Sequence, residues 1–274
     1  MSWATVLASI PSPSINQFHV GPLRVTFYGI LVTTGVVIAW MLTKRRWLER
    51  GGTAEEAEKI MLRVVVFGFL GARVAYVSTH LDRFQGPDWW KVIAIWEGGL
   101  ALYGGLTLGA VAIFLTCRQL KRPVTMFLDS LAPALPLAQA VGRWGNYFNQ
   151  ELFGTPTDLP WGLEIAPQFR PPQYAQFETF HPTFLYESLW NVALAFAIMW
   201  LDRRFPSLRG RLIGVYFLGY GTIRFLLELI RTDTTFRFLG LSRNAWVSIG
   251  IVLIGVAVLA WRRRTAPTPS EVTP

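Results

Sequence analysis

Residues 142–154 read GRWGNYFNQELFG. They close a segment, about residues 126 to 147, that is apolar enough to enter a bilayer. An arginine, two asparagines and a glutamate thus stand at the end of a hydrophobic run. A charged side chain near the centre of a membrane helix costs roughly 2.5 to 3.5 kcal/mol on insertion scales, so it faces a partner, a cavity or a substrate rather than lipid. The stretch therefore implies a membrane protein organised around a polar site.

Composition agrees. Of 274 residues, 52% are hydrophobic and only 16% charged, with 12 Trp, which is too apolar for an ordinary soluble domain of this length. Working outward from 142–154, six more apolar stretches come near the ~20 residues a hydrocarbon core demands: about 25–43, 60–78, 98–117, 183–201, 211–230 and 245–261. The expected fold class is all-α, a polytopic integral membrane protein of about seven transmembrane helices. The first stretch lacks a preceding basic segment and a small-residue cleavage site, so it reads as a span and not as a signal peptide.

Basic residues set the orientation. Lys44, Arg45, Arg46 and Arg50 follow the first span, and Arg118, Lys121 and Arg122 the third. Arg203, Arg204, Arg209 and Arg211 follow the fifth, and Arg262, Arg263 and Arg264 the last. Every second connection is basic, which places the N-terminus outside and the C-terminus in the cytoplasm. The net charge of +9 is then an attraction to anionic lipid in the membrane, and no nucleic-acid-binding motif is present. One transmembrane domain is expected over residues 1–264, with outer loops at about 79–97 and 152–182 and a disordered cytoplasmic tail at 265–274. Trp89, Trp90, Trp96 and Trp161 lie in those loops and suit the headgroup layer.

Metal chemistry finds no ligand set. The single cysteine, Cys117, excludes a disulfide framework and a cysteine-based metal site, and reads as an apolar filler. His19, His80 and His181 have no zinc-helix spacing. No metal and no cofactor is expected.

Chemistry is carried by the polar residues inside the spans. Arg224, Glu228 and Arg231, spaced four and then three apart in GYGTIRFLLELIRTD, share one helical stripe. Arg224 and Glu228 can neutralise each other as a structural pair. Two arginines against one acid, however, leave a surplus cation, and a guanidinium offers a planar fork of donors suited to phosphate. Arg143 lies three residues before Asn146 on one face, and Arg73 in FLGARVAYV is a further basic residue within a span. Several buried cations need an anion, and the most available one in a membrane is a phospholipid headgroup. Gly98, Gly99, Gly104, Gly105, Gly109, Gly142 and Gly145 suit close helix packing first, and close approach of lipid second.

These residues resemble the prolipoprotein diacylglyceryl transferase family. Its signature, G-R-x-G-N-[FY]-x-N-x-E-x-x-G, is met by Gly142, Arg143, Gly145, Asn146, Tyr147, Asn149, Glu151 and Gly154. The resemblance also covers GPLRVTFYG, FLGARVAYV, WEGGLALYGGLTLG, HPTFLYE and YGTIRFLLELIR in order, leaving only the termini and outer loops unmatched. It implies a catalytic domain of the bacterial cytoplasmic (inner) membrane. Its reaction moves the diacylglyceryl group of phosphatidylglycerol onto the lipobox cysteine of a preprolipoprotein, forming a thioether and releasing glycerol phosphate. It further implies that Arg143 and Arg224 stabilise the departing phosphate, that Asn146 orients the headgroup, and that Glu228 and Glu151 hold the arginines. Tyr28 matches a site tyrosine and Gly154 a glycine that lets the loop approach the headgroup; Arg73, His181 and Arg231 complete the expected phosphatidylglycerol contacts.

One position departs from the family. Where a histidine commonly precedes the paired glycines opening the third span, this chain has Tyr103 before Gly104 and Gly105. Tyr103 as phenolate, Glu151 or His181 are then the candidates to take the thiol proton, unless the arginines lower the thiol pKa enough for water to suffice. Two other classes of protein carry buried cations, a phospholipid transporter or flippase and a lipid-binding scaffold; the chain has no internal repeat of the kind many transporters show.

Overall fold

The computed structural model describes residues 9–95, 98–232 and 237–261. Trp96, Arg262 to Arg264 and the tail expected at 265–274 lie outside the described residues. The chain forms two compact units, one over Pro13–Asn149 and one joining the N-terminal residues up to Ser12 with the chain from Gln150 onward.

The first unit begins with a hairpin, β1 (Gln17–Val20) and β2 (Leu23–Thr26), paired antiparallel with Gln17 opposite Thr26. Thr26 then starts α1 (Phe27–Glu49), its hydroxyl accepting from the Gly29 N–H at 3.0 Å. Helix α2 (Ala54–Thr79) opens on a full capping box, Thr53 and Glu56 each satisfying the other's backbone N–H. Helix α3 (Leu102–Gln119) packs along α2 at glycines: a Cβ on Gly104 would lie 2.3 Å from the Gly71 carbonyl oxygen. Two further helices, α4 (Val124–Leu131) and α5 (Ala134–Asn149), read as one span in sequence but break at Ala132–Pro133, where proline lacks the N–H to continue the ladder. Trp47, Ile60, Met61, Ile113, Cys117 and Phe127 form the apolar core where α1 to α4 meet.

The second unit holds α6 (Thr183–Arg204), α7 (Leu212–Ile230) and α8 (Arg243–Ala260). The loop expected over about 152–182 is a built element. Strands β3 (Leu163–Glu164) and β4 (Thr179–Phe180) pair antiparallel, with single bridges from Ile10 to Leu163 and from Pro156 to Phe180. Phe153, Leu163, Ile165 and Phe180 are buried there as a small core. A last hairpin, β5 (Arg237–Phe238) with β6 (Leu241–Ser242), leads into α8.

Six helical segments among the described residues are long and apolar enough to cross a membrane: Phe27–Glu49, Ala54–Thr79, Val124–Asn149, Thr183–Arg204, Leu212–Ile230 and Arg243–Ala260. Their outward faces are apolar, with Val36, Val37, Phe67, Leu70, Leu253 and Ile254 all exposed, as a lipid-facing surface requires. The protein is an all-α polytopic membrane protein. Helix α3 coincides with the remaining expected span. It has 18 residues, with Tyr103 and a glycine pair in its first turn and Arg118 and Gln119 in its last, and these make it less apolar than the six.

Candidate active site

A connected polar cluster is built on α7. Arg224 stands between two carboxylates, its Nη1 donating to Glu187 Oε2 of α6 and its Nη2 to Glu228 Oε2, each at 3.3 Å. Glu228 is 1% exposed in its side chain and is held from three sides. Its Oε1 accepts from the Ser242 hydroxyl at 2.8 Å and from Asn244 Nδ2 at 3.2 Å, and Arg231 Nη1 lies 3.8 Å from Oε2. Ser242 is also the N-cap of α8, accepting from the Ala245 N–H at 3.1 Å. One serine thereby ties the start of α8 to the carboxylate.

The surplus cation expected on this stripe is corrected by Glu187. With Glu187 and Glu228 facing Arg224 and Arg231, the four side chains balance in formal charge. Burial demands this, since an unpaired charge in a low-dielectric interior is costly. Both contacts of Arg224 are longer than the ~2.7–2.9 Å of a tight charge-assisted bond, and its other N–H groups have no hydrogen-bond partner among the described residues. The guanidinium is aimed and still has donors to give.

Beyond Asn149 the backbone turns sharply. Gln150 and Leu152, flanking Glu151, hold φ of +51° and +60°, conformations that residues other than glycine rarely adopt. Gln150 Oε1 accepts from the Ala166 N–H at 2.8 Å and the Leu152 carbonyl from the Thr183 hydroxyl, which secures the turn and leaves Glu151 exposed. The chain then runs beside His181 and the end of α7. Gly154 N–H donates to the His181 carbonyl at 3.0 Å, and Thr155 N–H to the Ile230 carbonyl at 2.8 Å. A Cβ on Gly154 would come within 2.8 Å of His181 Cβ. The close approach expected of Gly154 is thus between two chain segments, and Gly154, His181 and Arg231 are brought together by backbone pairing. His181 Nδ1 lies 3.2 Å from the Tyr186 hydroxyl.

The other unit gathers Tyr28, Arg143 and Asn146. Arg143 Nη1 donates to Asn146 Oδ1 at 3.3 Å along α5, as the three-residue spacing predicts. Gly145 between them packs on the Tyr28 ring, where a Cβ would sit 2.5 Å from Cδ2. Asn146 is buried, Arg143 half-buried and Tyr28 exposed enough to meet a ligand. Tyr103, in the first turn of α3, is 58% exposed, and its phenol has no hydrogen-bond partner among the described residues.

Arg73 differs from the expectation placed on it. Its Nε donates to the Val92 carbonyl at 2.7 Å, its Nη1 to those of Gly98 and Gly99 at 2.7 and 2.9 Å, and its Nη2 to that of Lys91. Tyr76 and Phe84 rings flank the guanidinium at 5.7 and 5.4 Å. Its donors are directed at the segment after α2 and organise that segment. Sequence reasoning also passed over Glu187, Ser242 and Asn244. Glu187 carried a signal, being a carboxylate within an apolar span that required a cation. Ser242 carried a weaker one, as a serine just before an apolar run.

Fold and cluster together define a class: multi-pass membrane proteins that keep arginines and carboxylates paired inside apolar helices. Comparison with known proteins narrows this. A family model described as prolipoprotein diacylglyceryl transferase matches residues 16–261. The phosphatidylglycerol–prolipoprotein diacylglyceryl transferase 2 of Streptomyces coelicolor is 44% identical over 255 residues, covering 92% of this chain and 80% of that protein. The corresponding enzyme of Cutibacterium acnes is 43% identical over 92% of this chain and 85% of its own length, and that of Leifsonia xyli 42% identical over 100% and 86%. The chain belongs to the prolipoprotein diacylglyceryl transferase family, and it is a multi-pass protein of the bacterial inner membrane.

Proposed function

We propose that this chain transfers the diacylglyceryl group of phosphatidylglycerol to the lipobox cysteine of a preprolipoprotein, the step that its family and relatives are named for. The thiol sulfur bonds to the glycerol carbon that carries the phosphate, and the bond from that carbon to the phosphate oxygen breaks. Glycerol phosphate leaves, and the thiol proton passes to a base or to water. No redox change occurs, so the step needs no cofactor. Negative charge grows on the departing phosphate, and donors that bind it more tightly in the transition state lower the barrier.

The observation that carries this reading is Arg224 between Glu187 and Glu228 with donors to spare. Two acids orient the fork, and a phosphate oxygen completes it. Glu228 and Arg231 hold the fork from behind. Arg143 takes a like role toward phosphate, and Asn146 and Tyr28 one toward the headgroup. Gly154 and His181 shape the approach of the chain beside α7. Tyr103 and Glu151 are the candidates for proton removal, both exposed. Arg73 is assigned to the outer segment and not to phosphate. In this reading α3 is the third of seven crossings, with the N-terminus outside, and residues 1–264 act as one catalytic assembly.

The test is mass spectrometry of a lipobox peptide incubated with the purified protein and phosphatidylglycerol. The expected result is a diacylglyceryl mass gain on the peptide cysteine with glycerol phosphate released. Folded protein that binds phosphatidylglycerol and gives no product would replace this reading with lipid transport or flipping.

A further inference from the structure

We propose that Trp161 and Tyr186 fix the tautomer of His181, so that the imidazole presents its Nε2–H as a neutral donor to an oxygen of the lipid headgroup and does not act as the thiol base. This deepens the transferase reading and rests on it. The three side chains form a line within one unit. Trp161 Nε1 lies 2.9 Å from the Tyr186 hydroxyl, and that hydroxyl 3.2 Å from His181 Nδ1.

Direction follows from what each group can do. An indole N–H only donates, so the Tyr186 oxygen is an acceptor toward Trp161. The phenol has one proton of its own, and among the described residues the acceptor in reach is His181 Nδ1. Donation there makes Nδ1 the acceptor nitrogen and leaves the ring proton on Nε2. The opposite assignment, Nδ1–H donating to the phenol, would give the oxygen two incoming protons and leave its own without an acceptor among the described residues. The first arrangement gives the indole N–H, the phenol O–H and Nδ1 each a partner along the line, and the second leaves the phenol proton without one among the described residues.

The backbone of His181 is also held. Its N–H donates to the Thr155 carbonyl at 3.0 Å, and its own carbonyl accepts from Gly154 and Thr183. With main chain and Nδ1 both committed, the half-buried ring has one free function, and no hydrogen bond among the described residues reaches Nε2. A nitrogen already bearing a proton cannot take one from a thiol. It can donate to a phosphate or hydroxyl oxygen, the acceptors a phospholipid headgroup displays. Tyr186 and Trp161 are therefore positioning residues.

The experiment uses full-length protein with ¹⁵N-labelled histidine in lipid nanodiscs, read by nuclear magnetic resonance before and after adding phosphatidylglycerol. His181 resonances are assigned by their loss in His181→Gln. The expected spectrum shows His181 as the Nε2–H tautomer, with that signal moving on addition of phosphatidylglycerol. Tyr186→Phe should give a mixture of tautomers and raise KM for phosphatidylglycerol about threefold to tenfold, the value of one neutral hydrogen bond, with a smaller change in kcat. Trp161→Phe, a second variant should the first fold poorly, should shift the ring the same way and less. A wild-type Nδ1–H tautomer, ring signals unchanged in Tyr186→Phe, or a fall in kcat with KM constant would each overturn the proposal. Wild-type protein that shows the Nε2–H tautomer and the lipid-dependent shift but makes no thioether would support the donor role and sink the transferase reading.

Discussion

Arg224 on α7 and Arg73 on α2 are the same residue type in the same kind of apolar helix, and the chain satisfies them in opposite ways. Arg73 faces four backbone carbonyls and two aromatic rings. Arg224 faces two carboxylates through long contacts and keeps donors in hand. Carbonyls cannot leave the chain, so Arg73 is a structural tie whose removal strands acceptors. Carboxylates cancel charge and set direction while leaving the fork unsaturated, so Arg224 suits a transient anion. A buried arginine therefore marks a site by what remains unsatisfied on it, and burial alone does not distinguish the two.

The largest effect that would break this comparison comes from Arg224→Lys, which keeps the charge and removes the planar fork. It is expected to lower kcat/KM by roughly 100- to 1000-fold, the loss seen when one preorganised donor to a developing anion is removed. The protein should still insert and elute as a single species in detergent. Turnover near that of the unaltered chain would mean that a point charge suffices and that Arg224 resembles Arg73 in being structural.

Arg73→Ala tests the other half. Several carbonyls of the segment after α2 lose their donor at once, so a stability loss of about 2 to 4 kcal/mol is expected, read as a lower midpoint in thermal unfolding. The deficit should lie in the amount of folded protein, with thioether formation per folded molecule much less affected. A full-strength fold with collapsed kcat would place Arg73 beside Arg224 and undo the distinction.

Glu187→Gln sharpens the comparison with a smaller step, because the amide keeps the shape and loses the charge that aims Arg224. About a tenfold fall in kcat is expected, in line with a hydrogen bond to a charged group. In a double-mutant cycle with Arg224→Lys the two losses should not add. Additive losses would show that Glu187 acts on something other than Arg224.

How much of this was legible beforehand follows from which forces act locally. The bilayer sets helix length, so six membrane-length helices among the described residues could be read from apolar runs, and the helical repeat puts Arg224, Glu228 and Arg231 on one stripe whatever they pack against. Glu187 could not be added to that stripe, since pairing of α6 with α7 is tertiary, and the charge count went wrong by that one acid. What holds Arg73 was hidden, because its partners are carbonyl oxygens of an irregular segment, whose directions no side-chain pattern records. The element after Gly154 was equally hidden: strands of two residues have no period to detect, and Phe153, Leu163, Ile165 and Phe180 are too scattered in sequence to announce a core. The break at Ala132–Pro133, by contrast, had its proline in plain view.

The smallest expected effect belongs to Ser242, which supports Arg224 at one remove. Its hydroxyl donates to Glu228 and accepts from the Ala245 N–H, so it joins the helix cap to the acid that faces the arginine. Ser242→Ala removes both bonds and is expected to cost about 1 to 2 kcal/mol in thermal unfolding, the usual range for a cap with one further buried partner. Asn244 still donates to the same carboxylate oxygen, at 3.2 Å, so Glu228 stays in place and turnover per folded molecule should fall only a few-fold. Ser242→Thr, which retains the hydroxyl, should recover most of both. If Ser242→Ala instead matched Arg224→Lys in lost turnover with stability intact, the carboxylate's exact orientation would outweigh its charge, and the contrast with Arg73 would have to be redrawn around geometry.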